Sequence, residues 1–268
     1  ALIRAASTSA TAASGARYYT GTITIGGKAT SAASDLEYYT MSDFSSWGVP
    51  GDLSLKPEIT APGGHIYSSL PGGGYGDSSG TSMASPHMAG IAAGVLQRVK
   101  ATDVFQNLST YRQGELVDAL LMSTAVPLRD PDGMLYSPRS QGAGLANVGA
   151  AVSADSYILM GEDATKSYAD GKIKAELGDD PEKTGRYEFS FSIFNLTESE
   201  QTYALSGDLF TQDLFTDEGI SYMNTWTTGL HAEVTFSTGD TVTVPAGSSV
   251  DVKVTAVLTQ EQKTALNQ

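Results

Sequence analysis

Residues 80–100 read GTSMASPHMAGIAAGVLQRVK, and this stretch decides the class of fold. From Ser82 to Val99, small and apolar residues recur at spacings that cover most of a helix surface. A helix that is apolar nearly all round is a buried one, so the pattern predicts a helix packed inside the protein. Pro86 is compatible with it because the amides of a first helical turn have no intrahelical acceptor to lose.

The segments on either side of this helix add strands and a second helix. YYTGTITIGGK at 18–28 predicts a strand and a turn, and KPEITAPGGHIYSSL at 56–70 predicts short extended pieces. GELVDALLMSTAV at 114–126 predicts another helix, ended by Pro127. Strands followed by buried helices indicate an α/β layer.

The second part of the chain alternates with period two. RYEFSFSIFNL at 186–196 places Tyr187, Phe189, Phe191 and Ile193 on one face of a strand. DTVTVPAGSSVDVKVTAVL at 240–258 reads as a hairpin that turns at residues 245–248. These patterns predict an antiparallel β-sandwich, with helical character only in the last few residues.

Charge divides the chain near Ala154. Residues 1–154 carry 11 acidic and 9 basic side chains, whereas residues 155–268 carry 19 and 7. Ala, Gly and Ser dominate the first part, and Thr, Val, Tyr and Phe are prominent in the second. We therefore expect two domains, 1–154 and 155–268.

Composition excludes several classes of function. The net charge of -14 disfavours binding to a nucleic-acid backbone. With 0 cysteines the chain has no disulfide, no cysteine nucleophile and no thiolate metal site, although this does not fix its compartment. The longest apolar runs fall far short of the roughly 20 residues that a membrane-spanning helix needs.

The serine at position 82 has two interpretations. A nucleophilic serine at a helix N-terminus gains from unpaired amides and from the positive end of the helix dipole, which both suit a developing oxyanion. A serine that merely caps a buried helix is the commoner case for a bare G-x-S pattern.

A longer set of segments favours the first interpretation. SLKPEITAPGG at 54–64, GTSMASPH at 80–87, ALLMSTAVPL at 119–128 and QGAGLANVGAAV at 141–152 resemble, in order and spacing, the C-terminal half of a subtilisin-family peptidase domain. The resemblance covers residues 42–154 strongly, and SLKPEITAPGG with the attached β-domain resembles the cell-envelope branch of lactocepins and C5a peptidases.

The resemblance implies a function and a fold. Ser82 matches the nucleophile of a serine endopeptidase, and its own backbone N–H would be one donor of the oxyanion hole. Residues 1–154 would be the C-terminal part of a subtilisin-like parallel-sheet domain, with about 1–30 the end of an inserted protease-associated domain. Residues 155–268 would be a fibronectin-III-like sandwich.

The chain also departs from the family pattern. The catalytic Asp and His and the oxyanion Asn precede the serine in this family, and residues 1–81 contain none of their motifs. His65 lies in APGGHIYSS and reads as a loop histidine, His87 matches a structural position, and His231 lies in the β-domain. We expect this segment alone to be inactive and its partner to be the N-terminal half of the same peptidase.

Two alternatives remain open. The order Ser82, Asp130 or Asp132, His231 fits an α/β-hydrolase, although Ala84 stands where that elbow needs its second glycine. The other alternative is a catalytically inactive adhesion or scaffold protein that retains a subtilase shell. The residues upstream of Ala1 decide between this shell and the enzyme.

The family chemistry requires no cofactor. Structural Ca²⁺ is possible, without an assigned site, in three acidic segments that we expect to be loops: GEDATKSYADG at 161–171, LGDDPE at 177–182 and SGDLFTQDLFTDEG at 206–219. The resemblance implies protein or peptide substrates, no nucleic acid, no membrane span in this segment, and a secreted or cell-surface bacterial location.

Overall fold

The computed structural model describes residues 8–11, 17–20, 39–48, 54–161, 171–230 and 232–266. It divides the chain into two compact units, Ala1–Tyr38 and Tyr39–Gln268. In the first unit, strands β1 (Thr8–Thr11) and β2 (Arg17–Thr20) pair antiparallel, with Thr8 opposite Thr20. The remainder of the strand and turn predicted at 18–28 lies outside the described residues.

The second unit begins its regular structure with a hairpin and a long helix. Strands β3 (Ile66–Ser69) and β4 (Tyr75–Ser78) form the hairpin, and helix α1 (Thr81–Ala101) follows it. The helix confirms the prediction from Ser82 to Val99, but Pro86 is its sixth residue and not in its first turn. Because proline has no N–H, Ser82 C=O loses the helical donor that residue 86 would otherwise supply.

Four further helices follow α1 in the described residues before the strands of the second part. They are α2 (Asp103–Gln106), α3 (Thr110–Ser123), α4 (Pro138–Gln141) and α5 (Val148–Ser153). Helix α3 begins before the predicted Gly114 because Ser109 caps it, its side chain accepting from Arg112 N at 3.3 Å. It ends at Ser123, four residues before Pro127.

The core of the helical part lies between α1, α3 and α5. Its buried members are Val95, Val99, Phe105, Leu116, Val117, Ala119, Leu120, Leu121, Ala151 and Tyr157. The expectation that α1 is buried all round is wrong for its first half, where Thr81, Ser82, Ser85 and His87 are exposed. Its fully buried residues, Val95 and Val99, lie in the second half, where the helix packs against the core cluster of the described chain.

The second part of the chain is built from strands. They are β5 (Ser156–Met160), β6 (Arg186–Asn195), β7 (Gln201–Ala204), β8 (Leu209–Asp217), β9 (Ile220–Leu230), β10 (Glu233–Phe236), β11 (Thr241–Val244) and β12 (Ser249–Val257). One antiparallel sheet has the order β10-β12-β6-β5, and β7 with β11 and β8 with β9 form two-stranded sheets. Helix α6 (Gln260–Leu266) ends the described chain, as expected.

The predicted hairpin at 240–258 is wrong in one respect. The turn lies where expected, but β11 pairs with β7 while β12 pairs with β6 and β10, so the two strands belong to different sheets. The chain arches between layers because Val242 and Val244 of one sheet pack against Val252 and Ile193 of the other. Asn195, which is buried, holds the arch: its Nδ2 donates to Val244 O at 3.1 Å and Pro245 O at 3.2 Å.

The core of the helical part extends onto strands β5 and β6. Tyr157 of β5 stacks on Phe194 of β6 at 4.8 Å and meets Phe105 of α2 edge-on at 6.3 Å. Strand β6 therefore packs on both faces, with Ile193 toward the β core and Phe194 toward the helices.

The mixture of helices and strands agrees with the expected fold class. The only parallel pairing of strands or bridges in the described ranges is the isolated Thr60–Leu145 bridge, so most of the expected parallel sheet is not represented there.

A lysine–glutamate network ties residues 172–176 to residues 55–58. Glu58 forms an ion pair with Lys56 and lies 3.4 Å from Lys174 Nζ. Lys174 Nζ also donates to Leu55 O at 2.6 Å, and Leu55 N donates to Glu176 Oε1 at 3.0 Å. Burial alone would raise the pKa of Glu58, but the hydrogen bond from Lys56 and the neighbouring lysine charges prevail and lower it.

This network predicts an acid-sensitive contribution to stability. Because the folded-state pKa of Glu58 lies below its unfolded value, its contribution is present above the unfolded pKa and is lost as pH falls through the folded pKa. Glu58→Gln should cost about 1 kcal/mol or less at pH 7. Thermal unfolding from pH 7 to pH 3 checks this: the gap between wild type and Glu58→Gln should close toward acid pH, and a constant gap contradicts it.

None of the helices in the described ranges has the combination of length and hydropathy that a membrane-spanning segment requires.

Candidate active site

Ser82 is the second residue of α1 and is exposed. The helical hydrogen bonds begin just after it, with Met83 N and Ala84 N donating to Gly80 O at 3.0 and 3.3 Å. The N–H of Ser82 therefore has no acceptor within the helix and lies at the positive end of the helix dipole. Hydroxyl and amide belong to one residue, which is the arrangement that a nucleophile with its own oxyanion donor requires.

Gly80 makes this start of the helix possible. Its backbone has φ 151° and ψ 164°, a conformation that residues with a Cβ rarely adopt. It precedes the helix directly and provides no side-chain cap, so no side chain at position 80 covers the first amides. The glycine thus sets the chain direction into α1 and leaves the approach to Ser82 open.

The loop at Pro62–Gly63 supports the helix start from the side. Gly80 N donates to Gly63 O at 2.8 Å, and a Cβ on Gly63 would lie 2.8 Å from Gly80 O and 3.1 Å from Ala84 Cβ. Only glycine therefore fits at position 63 without displacing the backbone beside Ser82. In the sequence, the Gly63-Gly64 pair predicts a turn at this place but not the contact of Gly63 with the start of α1.

His87 is bound to this same loop. Its Nδ1 lies 2.7 Å from Pro62 O, so the ring joins the second turn of α1 to the loop before the hairpin. This contact gives His87 a structural part, in line with the sequence interpretation. Sequence reasoning had no signal for Pro62 as the partner, because 25 residues separate the two.

Of the other candidate acid–base residues, His65, Asp130 and Asp132 lie outside the helices and strands. His65 is exposed at the start of the hairpin, with Nδ1 3.5 Å from Asp77 Oδ1. Asp130 accepts from Asp132 N at 3.0 Å and from Met134 N at 2.8 Å through Oδ1, which closes its own turn. His231 lies outside the described residues, so the hydrolase order of Ser82, Asp130 or Asp132 and His231 remains untested.

No side chain in the described part of the chain hydrogen-bonds the Ser82 hydroxyl. The structure thus brings together the hydroxyl, its amide, Gly80 and the Pro62–Gly63 loop. It does not bring a base to Ser82 from the residues it describes.

Acidic side chains do not gather into a metal site in the ranges that the structure covers, where no group of three or more possible ligands occurs. Asp180 accepts from Gly185 N at 2.7 Å and Thr184 N at 3.0 Å, and these hydrogen bonds lower its pKa. Of the segment 206–219, residues 209–217 form strand β8 rather than the expected loop. Most of 161–171 lies outside the described residues.

The glycine geometry predicts that Gly80→Ala impairs the site. The added Cβ strains the backbone by about 1–3 kcal/mol, which shifts the helix start and its free amides. We expect a lower Tm and, if Ser82 is a nucleophile, at least a roughly tenfold slower reaction with a serine-directed reagent once the N-terminal half is supplied. Gly90→Ala is the matched control, because a Cβ at that helical position has nothing within 4 Å. Equal effects of the two substitutions would contradict the assignment.

Comparison with known proteins identifies relatives of this segment. The model of the subtilase family matches residues 5–144. The PII-type proteinase of Lactococcus lactis subsp. cremoris is 32% identical over 230 residues, which are 81% of this chain and 12% of that protein. The minor extracellular protease Vpr of Bacillus subtilis (strain 168) is 36% identical over 172 residues, 62% of this chain and 19% of that protein.

The C5a peptidase of Streptococcus pyogenes is 41% identical over 119 residues, 44% of this chain and 10% of that protein. The chain thus spans less than a fifth of each of these relatives.

Proposed function

The chain belongs to the subtilase family, in the branch of the cell-envelope proteinases, and we propose that it is the part of a serine endopeptidase that carries the nucleophile, Ser82. The single observation that carries this proposal is the exposed Ser82 hydroxyl beside a free amide at the start of α1. Relatives named proteinase, protease and peptidase support the reaction class.

The proposed chemistry is acyl transfer. Ser82 Oγ attacks the carbonyl carbon of a substrate peptide bond while a histidine takes its proton, and the developing oxyanion accepts from Ser82 N–H and an asparagine amide. The same histidine then donates that proton to the leaving amine, which leaves an acyl-enzyme on Ser82. In the second step the histidine takes a proton from water, which attacks the acyl carbon, and returns it to Ser82 Oγ as the ester bond breaks and the acid product leaves. An aspartate holds the imidazole in the correct tautomer.

The histidine, aspartate and asparagine are proposed to come from the N-terminal half of the same peptidase. Two observations support this division: no described side chain hydrogen-bonds the Ser82 hydroxyl, and the chain spans only 12% of the lactococcal proteinase. The 268-residue segment alone is therefore proposed to be inactive. Its substrates would be proteins or peptides, and the proposed location is the bacterial exterior or cell surface, by analogy with the extracellular relative.

We propose the domain boundary near Ala154, with residues about 1–30 as the end of a protease-associated insertion. Residues 155–268 would then be a fibronectin-III-like module packed on the peptidase part. Two facing sheets with a shared core of Ile193, Val242, Val244 and Val252 support a sandwich. The stacked Tyr157 and Phe194 support close packing against the helices.

Reconstitution tests the proposed function. The segment alone, the N-terminal half alone and the two mixed are assayed with a fluorogenic casein. We expect hydrolysis only in the mixture. Equal hydrolysis by the segment alone would show that its base lies within residues 1–268. A mixture that forms a folded complex without hydrolysis would support the inactive adhesion or scaffold alternative.

A further inference from the structure

Strands β8 and β9 form a hairpin whose outer end is exposed. Its base is fixed, because Thr227 Oγ1 donates to Leu135 O at 2.7 Å and Ser137 Oγ donates to Gln212 Oε1 at 2.8 Å. Every residue from Leu214 to Tyr222 is exposed. We name these residues, 214–222, the arm.

The turn of the arm fixes which side chains share a face. Glu218 and Gly219 both have positive φ, 49° and 79°. A two-residue turn of this kind matches the right-handed twist of the flanking strands. Phe215 pairs with Tyr222, and Asp217 pairs with Ile220. Since side chains alternate along a strand, these four residues lie on one face of the arm.

Three of the four residues on that face, Phe215, Ile220 and Tyr222, are apolar or aromatic although they are exposed, and Asp217 lies beside them near the turn. The rings of Phe215 and Tyr222 stack at 5.3 Å with an interplanar angle of 22°. Phe215, Tyr222 and Ile220 are 48%, 43% and 58% exposed. An exposed stacked aromatic pair with an exposed isoleucine near it is the kind of apolar surface that marks an interaction site.

The edges of the hairpin are open as well. Neither β8 nor β9 pairs with a third strand in the described chain. Proteins commonly protect such edges with lysine, because unpaired N–H and C=O groups invite another strand. Residues 208–222 contain no lysine, arginine or histidine.

Charge determines which partner fits. Residues 208–222 carry Asp208, Asp213, Asp217 and Glu218 with no basic residue. A second copy of the chain, with its net charge of -14, would be repelled by the arm, and so would nucleic acid. A cationic and apolar extended segment complements the apolar face, the acidic groups and the open edge together.

We propose that the arm is a docking site for an extended cationic–apolar segment of the protein substrate, which adds to the hairpin as a third strand. Main-chain hydrogen bonds would join it to the open edge, its apolar side chains would cover Phe215 and Tyr222, and its Lys or Arg side chains would lie near Asp217 and Glu218. The proposal rests on the proposed peptidase function, because it identifies the docked segment as substrate.

Peptide binding tests the docking without turnover. In the 268-residue chain carrying Ser82→Ala, fluorescence anisotropy compares a labelled peptide of alternating Lys and Val/Phe with the same peptide bearing Glu for Lys. We expect the cationic peptide to bind at least about tenfold more tightly, and increasingly so at low salt. Equal binding of the two peptides overturns the proposal.

Matched variants locate the binding. Phe215→Ser with Tyr222→Ser should weaken the cationic peptide at least about tenfold. The same change at Tyr67 and Tyr75, another exposed stacked pair at 5.9 Å, should leave binding unchanged. Asp217→Asn with Glu218→Asn should weaken it several-fold and reduce its salt dependence, whereas Asp179→Asn with Glu182→Gln should not. Arm variants that bind normally, or controls that lose as much, overturn the proposal.

Kinetics of the reconstituted peptidase identify the partner as substrate. The arm variants should raise KM for a cationic protein substrate at unchanged kcat, while hydrolysis of a short peptide that cannot span both sites stays the same. An unchanged KM overturns the substrate assignment. The binding assay uses Ser82→Ala, so it stays valid even if Ser82 proves not to be the nucleophile. If the reconstituted peptidase is active and the arm variants leave its KM unchanged, the docking proposal is refuted while the proposed peptidase function stands.

Discussion

Ser82→Ala is expected to lower kcat of the reconstituted peptidase by on the order of 10⁶, a magnitude known for removal of the nucleophile in subtilisin itself. The physical reason is that without Oγ no acyl-enzyme forms, and water must be activated by the remaining groups. The substitution removes an exposed hydroxyl that no described side chain hydrogen-bonds, so the fold should be unaffected. Steady-state hydrolysis of a peptide substrate measures the loss, and circular dichroism checks the fold.

The matched control is Ser85→Ala, which removes another exposed serine hydroxyl from the same helix. It should keep activity within about twofold, because surface substitutions away from the reacting groups change little. If both variants retained near wild-type activity, the nucleophile would be elsewhere. If both lost it equally, the effect would belong to the helix and not to Ser82.

Leu120→Ala is expected to have the largest effect on stability. Leu120 is 0% exposed at the centre of the helical core, in contact with the buried cluster that includes Val95 and Val99. Removing a buried leucine leaves a cavity and costs about 3 kcal/mol. For a protein of this size, that corresponds to a fall in Tm of about 6–12 °C. Differential scanning calorimetry at fixed pH measures it.

Leu266→Ala provides the control for this stability prediction. Leu266 lies in α6 and is 45% exposed, so the same chemical change should cost less than about 0.5 kcal/mol. A loss as large as that of Leu120→Ala would show that α6 is buried in solution. A small loss at Leu120 would contradict the helical core described above.

The sequence predicted helices and strands well where the spacing of apolar residues followed a single period without interruption. Helix α1 and strand β6 follow from the spacing of their apolar residues, and both were found at the expected places. The arch between β11 and β12 did not follow, because alternation reports which residues point inward and not which sheet receives each strand. Val244 and Val252 both point inward, yet they belong to different layers.

Only those features of the candidate site that depend on neighbouring residues in the sequence could be predicted. Ser82 at the start of its helix follows from the motif, whereas the backbone conformation of Gly80 does not, because a glycine before a helix can adopt several conformations. The contact of His87 with Pro62 joins distant residues, and no local pattern reveals it. The segment 206–219 is predicted to be an acidic loop, whereas residues 209–217 form β8, because a register shift between Gln212 and Leu214 interrupts the alternation that marks a strand.

The central claim is that Ser82 is the nucleophile of a divided active site, and labelling with a serine-directed fluorophosphonate tests it most directly. The segment is treated with the reagent alone and after mixing with the N-terminal half, and the modified residue is mapped by peptide mass spectrometry. We predict modification of Ser82 in the mixture and little or none in the segment alone. Modification of a different residue, or equally fast labelling of Ser82 in the segment alone, would contradict the account.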